Sequence, residues 1–417
     1  MDLRDISFKV GLTLACLLAS GAAQAASVTL TGQTAGDFRW KDISGNVYSA
    51  AYRSSYSYTQ AVVTVSYCST GTILHGTLTA TNLKPFFAYQ LKLEGWPDGA
   101  PESNEQLGFT GRWWEQEWNG GWSVGWNLNN KGDGSFPNPN DTTYLARKDD
   151  PDPTSPTGLN YKYTAYRVFD YFITDGSGCA IVPFSVTGCY HVLWKTSQAS
   201  RTANDGPLKS LTFDPNPSNH PAYGTDYGES TTTLFGEWER LPAGRVYLRP
   251  CDYEVNFLVT EESFHESGTH CGFWAHAARG YASFTIEPFP ATNGVSIRWL
   301  EQHGITNDFD AAALADPDED GSKTWEEYYA DTDPTNSQSV LCITGVSRGT
   351  NGVCIDWRGG IESWQVLERR LDLGTTTTAW QVLCSNAPRT PITNVYVDLT
   401  CTNAAAFYRI RAGRPTD

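Results

Sequence analysis

The chain has 417 residues, a formal net charge of −16, and 18% charged against 13% aromatic residues. That acidic balance excludes electrostatic binding to nucleic acid or to anionic membranes and suits a soluble protein that meets divalent cations. Few charges beside 38 Gly and 22 Pro favour many short strands and turns over long surface helices.

The first segment reads as a targeting sequence. Arg4 and Lys9 give a basic start, Val10 to Leu18 is apolar, and Ala23-Gln24-Ala25 is a small-x-small cleavage signal. Residues 1–25 are therefore expected to be a secretory signal peptide. The apolar run is too short to span a bilayer, and no later run is long enough. The expected location is secreted, whether periplasmic, cell-surface or extracellular. In that setting the cysteines outside the leader are expected to pair as disulfides. The easiest bridges join Cys342 to Cys354 across the RGTNG turn, Cys384 to Cys401, and Cys251 to Cys271, each stabilising by roughly 2–4 kcal/mol. Cys68, Cys179 and Cys189 contain the odd thiol.

Residues 26–292 read as one mainly β domain with long insertions. Apolar and polar residues alternate through 62–68 (VVTVSYC) and 72–80 (TILHGTLTA), the period of strands with one buried face. Strand character returns at 167–175, 180–186 and 189–195. Residues 97–165 read as a loop-like insertion rich in Gly, Pro, Asn and Asp, and 200–232 as polar and turn-rich. Within the insertion, Trp113, Trp114, Trp118, Trp122 and Trp126 crowd the run GRWWEQEWNGGWSVGWN. Exposed rings of this kind stack on sugars, whereas buried ones fill a core. Glu115 with Glu117, and Glu237 with Glu239, are i, i+2 pairs that share a face on a strand, the raw material of a two-carboxylate hydrolase. His191 and His265 stand at strand ends from which a copper or zinc ion is reachable, with Glu262 completing a set, although the spacing of His265, His270 and His276 matches no standard ligand motif.

Two turns carry a resemblance. Leu83-x-Pro85-x-x-x-Tyr89, leading into the alternating QLKLEG, resembles the tyrosine corner of fibronectin type III and other immunoglobulin-like β-sandwiches. The resemblance implies that the Tyr89 hydroxyl bonds back to the backbone. Arg249-Pro250-Cys251-Asp252-Tyr253 is a second turn of similar style, with Tyr253, Val255, Phe257 and Val259 on one face.

Residues 293–338 change period. Val295, Ile297, Trp299, Leu300 and His303 suit a short helix ending at Gly304, and Asp308 to Leu314 suit another. Then comes DPDEDGSKTWEE, from Asp316 to Glu327, with carboxylates at loop positions 1, 3, 5 and 12 and Gly321 at position 6. That is the ligand spacing of an EF-hand-like calcium loop. Asp316, Asp318 and Asp320 are expected to supply side-chain oxygens, Ser322 a backbone carbonyl and Glu327 a bidentate carboxylate, with Thr324 helping from position 9. Three alternating aspartates also repel one another unless a cation is bound.

Residues 339–413 are β again, as LCITGV, VCIDWRG, SWQVLERR, AWQVLCS, VYVDLTC and FYRIRA. Together with the preceding segment they resemble the thrombospondin type 3-like calcium segments, followed by a small C-terminal β-sandwich, found in exported bacterial proteins. This chain departs from the usual pattern at Ser322, Lys323 and Thr324 and carries Ala330-Asp331 where Ala-Gly is common. The resemblance implies a calcium-dependent accessory module and no reaction. No nucleophile elbow, zinc-protease helix or phosphate loop occurs. The sequence therefore points to a calcium-binding, non-catalytic structural or adhesive protein, whose partner would be a cell-surface glycan or protein. The alternatives are a carbohydrate-binding protein using Trp113, Trp114, Trp118 and Trp122, or a glycan-active hydrolase or copper or zinc protein using His191 and His265.

Overall fold

The computed structural model describes residues 25–43, 45–128, 139–194, 205–212, 220–223, 231–238, 246–262, 275–372, 379–401 and 405–414. The chain is mainly β and divides into two compact units, Ala23–Glu287 and a second that contains Pro288–Asp417. No helix among the described residues is long and apolar enough to cross a membrane.

The first unit runs, in chain order, β1 (Ala25–Gly32), α1 (Ala50–Ser55), β2 (Val62–Cys68), β3 (Thr70–Gly71), β4 (His75–Thr81) and β5 (Ala88–Gly95). There follow α2 (Pro101–Thr110), β6 (Arg112–Glu117), β7 (Trp126–Asn127), α3 (Pro139–Arg147), β8 (Tyr161–Ile173), β9 (Ala180–Ser185) and β10 (Tyr190–Trp194). β11 (Asp205–Thr212), β12 (Thr231–Trp238), β13 (Cys251–Glu262) and β14 (His276–Ile286) complete it. One 11-stranded sheet has the order β7-β6-β8-β5-β13-β14-β1-β2-β4-β9, with β3 beside β14, and β10-β12-β11 form a separate three-stranded sheet. The sheet folds over on itself so that its two halves pack together, as the ring contacts of Tyr67 with Phe257 (5.3 Å) and Phe169 with Phe184 (5.2 Å) record. Strand alternation produces this directly: Val63, Val65 and Tyr67 on β2, and Tyr253, Val255, Phe257 and Val259 on β13, all face the core.

Both tyrosine turns hold. The Lys84 N–H donates to the Tyr89 hydroxyl at 3.0 Å, and the Tyr253 hydroxyl donates to the Arg249 carbonyl at 3.0 Å. The segment 97–165 is more regular than its composition implies. Pro101 starts α2, Gly111 ends it, and β6 pairs with β8 along six residues on each strand. Gly and Pro here punctuate elements and do not abolish them.

The second unit begins with α4 (Ile297–Gln302), α5 (Phe309–Leu314) and α6 (Thr324–Ala330), packed around Val295, Trp299, Leu300 and Ala313. Next come β15 (Cys342–Gly349), β16 (Gly352–Arg358), β17 (Trp364–Arg370), β18 (Gln381–Asn386), β19 (Thr393–Asp398) and β20 (Phe407–Gly413). They form two three-stranded sheets, β15-β16-β19 and β18-β17-β20, around Val353, Ile355, Trp357, Leu367 and Ile410.

The disulfide expectation is corrected. No disulfide joins any two cysteines among the described residues. The β15–β16 hairpin pairs Cys342 with Arg358 and Cys354 with Ser347, so the expected cross-hairpin bridge is out of register. Cys384 lies opposite Leu367 on β18, and Cys401 follows β19 in the other sheet; each packs against the apolar core instead. Cys271 lies outside the described residues.

Candidate metal centre

The loop between α5 and α6 is closed at its ends by Thr324. Its N–H donates to the Ala315 carbonyl at 2.8 Å and its hydroxyl to the same oxygen at 3.2 Å. Thr324 thereby closes the loop, a role that its place at loop position 9 did not signal. Inside the loop, Glu319 (φ 57°) and Gly321 (φ 97°) take left-handed conformations that fold the chain back on itself.

Each aspartate then divides its two oxygens. Asp316 Oδ2 accepts from the Gly321 N–H (3.0 Å), Asp318 Oδ1 from the Asp320 N–H (3.3 Å) and Asp320 Oδ1 from the Ser322 N–H (2.8 Å). The other oxygens, Asp316 Oδ1, Asp318 Oδ2 and Asp320 Oδ2, are shielded from solvent and have no hydrogen-bond partner. One carboxylate oxygen from each aspartate lies within 4.8 Å of the others. Glu327, fully buried on α6, repeats the pattern: its Oε1 accepts from the Thr332 hydroxyl at 3.3 Å, and its Oε2 has no partner. Burial, followed by the neighbouring Asp318, Asp320 and Asp316, pushes the Glu327 carboxyl up to about 8. Asp318 is raised for the same reasons, burial first. Buried polar atoms are ordinarily paired. Four orphaned carboxylate oxygens from positions 1, 3, 5 and 12 are a hard, anionic oxygen donor set, the kind that calcium takes.

The C-terminal end of α6 is fastened to the β part of the same unit. Asp331 caps the helix in the left-handed region (φ 58°), and its Oδ2 accepts from the Ile361 and Glu362 N–H groups at 2.9 and 2.8 Å. Its Oδ1 meets Arg414, whose guanidinium also lies over the rings of Trp299 and Tyr328. The Ala330 carbonyl accepts from Gly360 N–H and from the Ser363 hydroxyl, both at 3.1 Å. Asp331 is thus an αL residue whose carboxylate ties helix to sheet. Thr332 and Asp331 support the loop without any signal of their own in the spacing of the acidic residues.

The other anticipated site residues scatter. Trp113 is fully buried, stacked on Tyr144 (3.8 Å, 9°), with its indole N–H donating to Asp141 at 3.1 Å. A side chain at Gly108 would collide with the Trp113 ring, so the helix is cut away to seat it. Trp114, Trp118 and Trp122 are half-buried. Trp118 and Trp122 meet edge to face at 5.3 Å, and the Trp118 indole bonds to Thr154. Glu115 is fully buried and bonded to Tyr163 and Arg147, while Glu117 is half-buried, so the pair does not open as two carboxylates on one cleft. The His191 backbone lies opposite Glu237 on β12, whereas Glu239, His265 and His270 lie outside the described residues.

A different buried constellation had no signature in the sequence. Lys84 and Glu261, both fully buried, form an ion pair. The Lys84 ammonium also donates to the Arg39 carbonyl and sits among the rings of Trp40 (4.1 Å), Phe87 (4.9 Å), Tyr58 (5.4 Å) and Phe38 (5.5 Å). Glu261 further accepts from the Tyr58 hydroxyl and the Arg39 N–H, each at 2.6 Å. Burial lowers the Lys84 ammonium to about 8 despite the Glu261 charge. These bonds tie β13 to the approach to β5 and to residues 38–40.

Comparison of the chain with models of known protein families, with curated proteins and with solved structures finds no match.

Proposed function

We propose that the chain is an exported, non-catalytic structural or adhesive β-protein whose second unit is held in shape by one calcium ion. Asp316, Asp318, Asp320 and Glu327 would hold the ion through their unpartnered oxygens, with the Ser322 carbonyl at loop position 7. One observation carries the reading: Asp316, Asp318, Asp320 and Glu327 each bury a carboxylate oxygen that has no hydrogen-bond partner, the three aspartates offer oxygens within 4.8 Å of one another, and a cation removes that cost. The likeness of residues 293–413 to thrombospondin type 3-like segments with a small sandwich agrees with it, as the two tyrosine corners agree with an immunoglobulin-like first unit. The ion's role is mechanical. Drawing the start of α6 onto the loop fixes the helix whose far end carries Ala330 and Asp331 and their bonds to residues 360–363.

Isothermal titration of calcium into chelator-treated protein tests this. We expect one site per chain, at least tenfold weaker in Asp318→Ala. Absence of a binding isotherm in the wild-type protein would refute the calcium reading.

A further inference from the structure

The geometry points to a saccharide-binding site on the first unit, formed by Trp96, Asn256, Arg279 and Tyr281 around an open cavity of about 370 Å³. It is independent of the calcium centre and of the Trp113 region. The volume lies within the usual range of small-molecule sites, roughly 300–1,000 Å³.

Three neighbouring strands build it. The register sets Asn256 of β13 opposite Glu94 of β5 on one side and Tyr281 of β14 on the other, and Arg279 is two residues from Tyr281 on the same face. Trp96 follows the end of β5. The turn there bends sharply enough for the Gly99 and Ala100 N–H groups to donate to the Trp96 carbonyl. Gly99 then lies directly against the indole, where a side chain would come within 2.5 Å of the ring.

The result is two large aromatic rings held at an angle and left open to solvent. Trp96 is 43% and Tyr281 49% exposed, and their rings meet edge to face at 6.0 Å and 83°. Burial and the nearby Glu254 carboxylate raise the Tyr281 hydroxyl above its ordinary value. Exposed aromatic surface of this size costs hydration free energy unless something covers it. Beside the rings, the half-buried Asn256 carboxamide has no hydrogen-bond partner among the described residues. The Arg279 guanidinium is held by Glu94 at 2.9 Å, which balances its charge and leaves further N–H groups to donate.

A flat apolar face bordered by an amide, a guanidinium and a carboxylate with no net charge matches one ligand chemistry. A neutral pyranose with equatorial hydroxyls presents a flat C–H face for an indole and a rim of hydroxyls that both donate and accept. The ligand class is therefore a chain of such sugars, with one residue on Trp96 and its hydroxyls on Asn256 and Arg279.

The test is affinity electrophoresis and titration calorimetry of the full chain with cellohexaose, chitohexaose and xylohexaose. We expect saturable binding to at least one. Trp96→Ala and Tyr281→Ala should each weaken it about tenfold or more, and Asn256→Ala should weaken it less. Because Trp96 and Tyr281 are exposed, circular dichroism and melting temperature should be unchanged in both truncations. Failure of the wild-type chain to bind any of the three probes overturns the proposal, as does binding that survives in either folded truncation.

Discussion

At Glu327 a buried carboxyl sits among three aspartates, and its proton decides how the loop fares without an ion. A carboxyl that holds its proton more tightly in the folded chain stabilises the fold below its unfolded value of 4.5 and loses that contribution as pH rises through about 8. In chelator, the melting temperature should therefore climb as pH is lowered from 8 to 5. Saturating calcium replaces the proton and should flatten that slope. Glu327→Gln keeps the shape and removes the charge, so it should raise the calcium-free melting temperature at pH 8, flatten its pH dependence and abolish the response to calcium. Differential scanning fluorimetry across that pH range is the check. A pH slope in chelator that persists unchanged in Glu327→Gln would sink the account. Of this site, the spacing of Asp316, Asp318 and Asp320 made the cluster of carboxylates legible. The hydroxyls were not: Thr324 turned to Ala315 and Thr332 to Glu327, choices made by the fold of the loop and of the helix end.

At the scale of elements, alternation located the strands well. β2 spans Val62–Cys68, the run that alternation marked, and β13 buries the face that alternation assigned to it. Period fails where burial comes from tertiary packing instead. Lys84 lies in a turn between Leu83 and Pro85, where a lysine is expected in water, yet it is the centre of a buried cluster joining the approach to β5, the end of β13 and residues 38–40. The partners lie 177 residues apart in the chain, too far for any local pattern to reveal. Removing one partner of such a pair strands the other charge. Lys84→Met should therefore cost about 3–5 kcal/mol of unfolding free energy. Lys84→Met with Glu261→Gln should recover part of that loss, since the charge left behind is gone. Urea denaturation of the two variants decides it. A double mutant less stable than Lys84→Met would mean that the charge of Glu261 is not what Lys84 neutralises. The inward direction of Trp113 was illegible for the same reason. A dense set of tryptophans has no intrinsic direction, and only the pairing of β6 with β8, with Gly108 beneath the ring, turns Trp113 inward.

For the whole molecule, the change of period near Val295 came close to the observed division at Glu287 and Pro288, because a switch from strand to helix alternation is visible in composition alone. What the period could not convey is which neighbour the acidic-loop segment belongs to. The bonds of Ala330, Asp331 and Arg414 place it with residues 339–413, in one unit separate from Ala23–Glu287. Compact units with their own cores unfold as separate cooperative transitions unless a large interface couples them. Calorimetry of the full chain should thus resolve two transitions, and chelation should lower only one, since a ligand stabilises only the unit whose folded form binds it. Gly360 offers an independent handle on the same transition. A Cβ there would fall 2.1 Å from the Asp331 carbonyl oxygen and 2.4 Å from that of Ala330. Gly360→Ala should force helix and sheet apart and lower the calcium-sensitive transition by about 1–3 kcal/mol while leaving the other in place. A thermogram in which chelation and Gly360→Ala move different transitions would separate the ion from the helix-to-sheet bonds and refute the mechanical role given to calcium.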